Sequence, residues 1–131
     1  MILLDTHAWV WWVGRPKLLS PAARRRIDEA VEEGGVGVSA MSCWEVSLLV
    51  RRGRLELTMD IEDWIARSEA LPFLDFLPVD HHVAVRSNNL PGKLHDDPAD
   101  RIIVATAQVH GLTLITKDRR LRRYAHVETV W

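Results

Sequence analysis

The sequence predicts an α/β fold of three layers, α/β/α, with a central, mostly parallel sheet of about five strands. Three observations lead there. Short apolar runs alternate with longer helix-like stretches along the whole chain. Several of those stretches open on capping residues (Ser20-Pro21, Asp60, Asp97-Pro98) and close on glycine (Gly34-Gly35, Gly53, Gly111), which are helix start and stop signals. The turns between units are short, as expected for parallel strands covered by helices on both faces. At 131 residues the chain is expected to form one domain, residues 1–131, with a core that needs no staples.

Each element has its own reason. Ile2–Asp5 is a short apolar run and reads as a buried strand. Thr6–Val13 reads as a helix rich in tryptophan, stopped by Gly14 and Pro16. Ser20-Pro21 supplies an N-cap and a proline in the first turn for a helix to about Glu33. Val36–Ser39 is a second strand, and Ala40–Arg52 a helix ended by Gly53. Asp60–Leu71 is a helix capped by Asp60, with Pro72 beyond it. Phe76–Val79 is a weaker strand, and Pro78 within it predicts an edge position. Asp80–Ser87 reads as helix and Asn88–Asp96 as loop. Asp97-Pro98 begins a helix to His110, with Gly111 as its left-handed stop. Leu112–Thr116 is the strongest strand, followed by a short helix near Asp118–Tyr124 and a last strand, Val127–Val130.

Composition narrows the function. With 47% apolar residues the chain is not disordered. A net charge of −1 gives no overall basic bias towards nucleic acid. The cations are clustered, however, in Arg24-Arg25-Arg26, in Arg51-Arg52-Gly53-Arg54, and in Lys117 with Arg119, Arg120, Arg122 and Arg123. A near-neutral total can therefore hide a basic rim around an acidic pit. Cys43 is the single cysteine, which excludes an internal disulfide and suits the reducing cytoplasm. The apolar N-terminus carries Asp5 and His7 and has no basic leader, so it does not read as a signal peptide. No apolar run is long enough to span a membrane.

Four acids stand at separate turning points: Asp5, Glu45, Asp100 and Asp118. In a parallel α/β sheet, strand ends and helix N-termini meet at the carboxyl edge, where ligands bind. All four acids are expected at that edge. Carboxylates so gathered repel one another unless cations are bound or some acids keep their protons. Each acid also has a local explanation. Asp5 sits where an N-cap would, although Thr6 could serve equally well and leave Asp5 free. Glu45 has Met41, Leu48 and Leu49 as helical neighbours, which is an odd place for a solvated glutamate; pairing with Arg52 is a stretch. Asp97 takes the cap of its helix, leaving Asp100 as a first-turn acid favoured by the helix dipole. Asp118 is as well explained as a cap as by function. Thr116 points to the same edge and could hold a water or a carboxylate. The histidines do not form a zinc set, and oxygen donors alone point to Mg²⁺ or Mn²⁺.

Four segments together resemble the PIN-domain family, and within it the VapC-type toxins of toxin–antitoxin pairs. They are Leu3-Leu4-Asp5-Thr6-His7, Ser42-Cys43-Trp44-Glu45-Val46, Asp97-Pro98-Ala99-Asp100-Arg101 and Leu114-Ile115-Thr116-Lys117-Asp118. The similarity runs nearly end to end, with Ala99 departing from a frequent aromatic residue. It implies a metal-dependent endoribonuclease, held by a cognate antitoxin and usually a homodimer. It implies Asp5, Glu45, Asp100 and Asp118 as catalytic metal ligands and Thr116 as a supporting hydroxyl. Hydrolysis of RNA would then use water activated by one or two Mg²⁺ ions. Lys93, Arg119 and Arg120 are candidates to hold flanking phosphates. Trp11, Trp12 and Trp44, near Leu48 and Leu49, could line a groove for the antitoxin or instead stack on RNA bases, and the excess apolar surface of their helices favours the groove.

Two rivals remain open at this point. A receiver-type phosphoacceptor domain would phosphorylate Asp80 and use Asp5 for metal, but leaves Glu45 and Asp100 without work. A non-catalytic binding module would make all the acids caps.

Overall fold

A computed structural model describes all 131 residues. Five strands form one sheet in the order β3-β2-β1-β4-β5: β1 (Ile2–Leu4), β2 (Val36–Ser39), β3 (Leu74–Leu77), β4 (Thr113–Ile115) and β5 (Thr129–Val130). Every pairing is parallel, so the sheet is wholly rather than mostly parallel. Seven helices join the strands: α1 (Thr6–Gly14), α2 (Pro21–Glu33), α3 (Ala40–Arg51), α4 (Ile61–Glu69), α5 (His81–Ser87), α6 (Pro98–His110) and α7 (Arg119–Arg123).

Strand alternation builds two cores from one sheet. Ile2 and Leu4 of β1, with Val36 and Val38 of β2, face one side and pack on Trp9, Ala23, Ile27, Val46 and Trp64. Leu3 between them faces the other side, against Ile103, Val104, Ala107 and Leu121. Both faces are thus dry, which is why β1 is apolar throughout. No helix is long and apolar enough to cross a membrane.

The predicted elements are present with small shifts. The third strand runs Leu74–Leu77, two residues before Phe76–Val79, because Pro78 can neither donate to the ladder nor extend it. It does lie at the sheet edge. A 3-10 turn at Pro16–Leu18 was not anticipated; Pro16 reads as a helix stop yet begins that turn. Gly111 adopts φ +65, the left-handed stop expected for α6.

Strand order reverses between β1 and β4, each of which has a neighbour on its far side reached by an outward-running connection. In open parallel sheets the crevice beyond such a reversal collects ligands. Asp5 follows β1 and Thr116 follows β4, side by side: the Asp5 N–H donates to the Ile115 carbonyl at 3.1 Å.

Candidate active site at the sheet reversal

A cavity of about 440 Å³ opens at this edge, and all four acids line it: Asp5, Glu45, Asp100 and Asp118. Each arrives by a different route. Asp5 leaves β1, Glu45 is carried on α3 behind β2, Asp100 stands in the first turn of α6, and Asp118 begins α7 after β4.

Asp5 forms the buried floor. It caps α1, its Oδ1 accepting from the Ala8 N–H at 2.8 Å. Of the two caps the sequence left open, Asp5 and Thr6, the fold uses Asp5. Asp5 has extended backbone (φ −73, ψ 173), so it is the residue just outside the helix. Thr6 already lies within α1, and its hydroxyl is hydrogen-bonded to the Ser42 hydroxyl at 3.0 Å. Capping and cavity lining are compatible, because a carboxylate has two oxygens and several acceptor sites. Burial pushes the Asp5 carboxyl up to about 6, opposed by the Thr116 hydroxyl and the Ala8 amide.

Glu45 is half-buried, and burial raises its pKa against the help of the Thr6 hydroxyl beside it. It makes no ion pair with Arg52, which caps the C-terminus of α3 from the solvent side. Asp100 is raised as well, chiefly by burial, with His95 working the other way. Its Oδ2 meets His95 Nε2 at 2.6 Å and Arg120 Nη2 at 3.6 Å. Its N–H donates to Asp97 Oδ1 at 2.9 Å, so Asp97 is the cap as expected. Asp118 behaves differently. Burial alone would raise it, but Arg120 and the amides of Arg120 and Leu121 outweigh burial and lower it. It caps α7 and pairs with Arg120 Nη2 at 3.2 Å. Thr116 is fully buried and its Oγ1 accepts from the Asp118 N–H at 3.1 Å.

His95 is the residue that sequence reasoning missed. It comes from an irregular segment with no periodicity to mark it, and only the fold brings it to Asp100. The cations were partly foreseen. Arg120 lines the cavity and Lys117 joins it, whereas Lys93 and Arg119 do not. The expected tryptophan groove does not form as one surface. Trp11 lines the acidic cavity; Trp12 sits over a separate hollow with Arg67 and Leu71. Adjacent helical positions point about 100° apart, so the two could not share a groove. Trp44 is 55% exposed.

The donor set fits a hard divalent ion in kind: four carboxylates from four elements, three of them with the anion disfavoured by burial. The ligands are not drawn together in this conformation, since no three Asp, Glu, His or Cys side chains are grouped closely enough to hold one ion. His95 and Arg120 occupy Asp100, and Arg120 occupies Asp118. Asp80, by contrast, caps α5 behind the edge strand β3 and does not line the cavity with Asp5. The phosphoacceptor arrangement is therefore not assembled.

Comparison with known proteins agrees with this fold. The family model of the PIN domain matches residues 2–127. Ribonuclease VapC22 of Mycobacterium tuberculosis is 38% identical over 133 residues, spanning 99% of this chain and 98% of that protein. A toxin–antitoxin complex from Klebsiella pneumoniae contains a chain that superposes with a TM-score of 0.67 at 22% identity, covering 100% of this chain and 97% of that one. VapBC2 from Rickettsia felis, bound to a DNA fragment from its promoter, superposes with a TM-score of 0.72 at 14% identity, covering 99% and 98%.

Proposed function

The chain belongs to the PIN-domain family, and from that premise we propose that it is the toxin of a toxin–antitoxin pair. Its activity is that of a Mg²⁺- or Mn²⁺-dependent endoribonuclease acting in the cytoplasm. The 38% identity to a ribonuclease over nearly the whole chain supports the reaction class. The single observation that carries the residue assignment is the convergence of Asp5, Glu45, Asp100 and Asp118 on one cavity at the sheet reversal.

Asp5, Glu45 and Asp100 would hold the ion, with Asp118 at the rim. An ion held there would supply Lewis acidity, for activating a water near neutral pH and offsetting charge on the phosphate. The chain's own groups do the rest. Desolvated Asp5 and Glu45 favour any positive charge that reaches them, because burial penalises their anions when alone. Thr116 fixes the Asp118 backbone and borders Asp5, holding the floor rigid. Lys117 and Arg120 at the cavity mouth attract the phosphate. His95 and Arg120 hold Asp100 here; freed of them, its oxygens would be available to hold the ion, and Arg120 would be free to meet the substrate. A cognate antitoxin is the proposed protein partner, on the likeness to the chain in the Klebsiella complex; a homodimer is the proposed assembly.

The test is cleavage of a defined RNA by purified protein in Mg²⁺ or Mn²⁺ and in chelator, with the ends of the products identified. Metal-dependent cutting that leaves no 2′,3′-cyclic phosphate is expected. A cyclic phosphate would mean that the RNA's own 2′-hydroxyl attacked, and cutting in chelator would mean that no ion is needed; either result sinks the mechanism.

A further inference from the structure

Beside the acidic cavity lies a second hollow of opposite charge, about 610 Å³ and open to solvent. Arg119, Arg122 and Arg123 of α7 line it with Trp131. The three arginines stand at i, i+3 and i+4, so they share one face of the helix. Leu121 is fully buried in the core, and Arg120 turns to the acidic cavity. None of the three forms an ion pair, although the neighbouring Arg120 forms two.

An aromatic pair joins the two hollows. Trp11 lines the acidic cavity and Trp131 the basic one, with ring centroids 5.7 Å apart and planes tilted by 58°. Lys117 Nζ lies 5.7 Å from the centre of the Trp11 ring. Three unpaired guanidinium forks beside indole faces suit a ligand with spaced phosphates and free bases. An acidic peptide would satisfy the arginines but leave the aromatic faces unused. A duplex would offer phosphates but keep its bases stacked inside.

We propose that Arg119, Arg122 and Arg123 grip the phosphates of single-stranded RNA next to the bond held in the acidic cavity, with an unpaired base stacked on Trp131. This rests on the nuclease reading and adds the strand's path away from the cut, along α7 and Trp131. The path also has a physical cause. Phosphates flanking the scissile one are repelled by the acids, so they follow the nearest positive surface.

Binding is measured in chelator, where nothing is cut, with a short fluorescein-labelled oligouridylate. Arg122→Glu/Arg123→Glu should weaken binding at least about tenfold. It should lower the slope of log affinity against log salt by about 1.4, at roughly 0.7 per lost phosphate contact. Trp131→Ala should weaken binding and Trp131→Phe restore it, with thermal melting to confirm that each variant is folded. Unchanged affinity and slope in the folded charge-reversed protein would overturn the proposal. So would equal affinity for the duplex, or polyglutamate competing as well as oligouridylate. Cleavage of the same strand by the unaltered protein in Mg²⁺ separates the two readings. Cutting with arginine-independent binding sinks the track alone; arginine-dependent binding without cutting sinks the nuclease reading and leaves a single-strand site.

Discussion

Asp5 and Asp80 are the same device in two places. Each follows a strand, has extended backbone, and caps a helix by accepting from the N–H three residues on, at 2.8 Å for Asp5 and 2.9 Å for Asp80. Their acidities nevertheless move in opposite directions. The Val83 amide and the nearby His82 and His81 hold Asp80 below the usual carboxylate range. Burial lifts Asp5 to about 6 despite its own capping amide. Depth within the fold, not the local motif, therefore decides which capping aspartate has its anion disfavoured. Asp5 stands between the two central strands, whereas Asp80 stands behind the edge strand.

The comparison breaks most openly in catalysis. Asp5→Asn and Asp100→Asn should lower RNA cleavage by more than about 100-fold, beyond what outer-shell changes at metal sites usually cost. Asp80→Asn should leave it within about twofold. Equal losses at Asp5 and Asp80, measured as single-turnover rates on one RNA, would mean that depth does not separate the two.

Ion binding gives the next largest difference. Saturating Mn²⁺, at about 100 times its Kd, should stabilise the unaltered protein by roughly 2.7 kcal/mol. Thermal melting should show this shift in Asp80→Asn and not in Asp5→Asn. A shift that survives in Asp5→Asn would place the ion elsewhere.

The pH dependence sharpens the contrast further. Between pH 3.8 and about 6 the folded protein keeps the Asp5 proton that the unfolded chain releases. Stability from this group therefore falls as pH rises through that window. At pH 7 without divalent ions, Asp5→Asn should be more stable by up to about 3 kcal/mol, at 1.4 kcal/mol per unit, and this gain should vanish near pH 4. Asp80 has the opposite sign: its lowered pKa stabilises the fold above the unfolded value, and that contribution is lost as the carboxylate is protonated in acid. Melting curves across pH 4–7 should show the Asp5→Asn difference growing with pH while the Asp80→Asn difference stays flat, changing only below the unfolded value of 3.8 and then with the opposite sign.

The smallest effect concerns the support beneath the pit. Thr6→Val removes the buried hydroxyl that bonds to Ser42 and leaves that partner unsatisfied. A loss of about 1 kcal/mol is expected in denaturant unfolding. The Glu45 carboxyl should rise further, because the Thr6 hydroxyl helps to hold it down. A chemical-shift titration that left Glu45 unmoved would remove Thr6 from the site.

Much of this arrangement could be seen in the chain itself, for identifiable reasons. Helix boundaries at Ser20-Pro21, Asp97-Pro98 and Gly111 are set by local backbone chemistry, which adjacent residues announce. The approach of four acids to one edge follows from parallel topology, which alternation announces. What stayed hidden depends on contacts between distant segments. His95 reaches Asp100 only through the path of a loop. Trp11 and Trp12 diverge because one faces the sheet's carboxyl edge and the other packs near Phe73. The place of Asp5 was half visible: its position gave the cap as one option, but only the fold shows that the capping residue also lines the acidic cavity.

The pairing of β1 with β4 has a consequence for how the protein is made. β1 is synthesised more than a hundred positions before β4, its neighbour at the crevice. While β4 remains inside the ribosome's exit tunnel, Asp5 has neither the Ile115 carbonyl nor Thr116 beside it. The crevice therefore cannot assemble until late in translation, when closure of the longest loop in the sheet brings β4 beside β1.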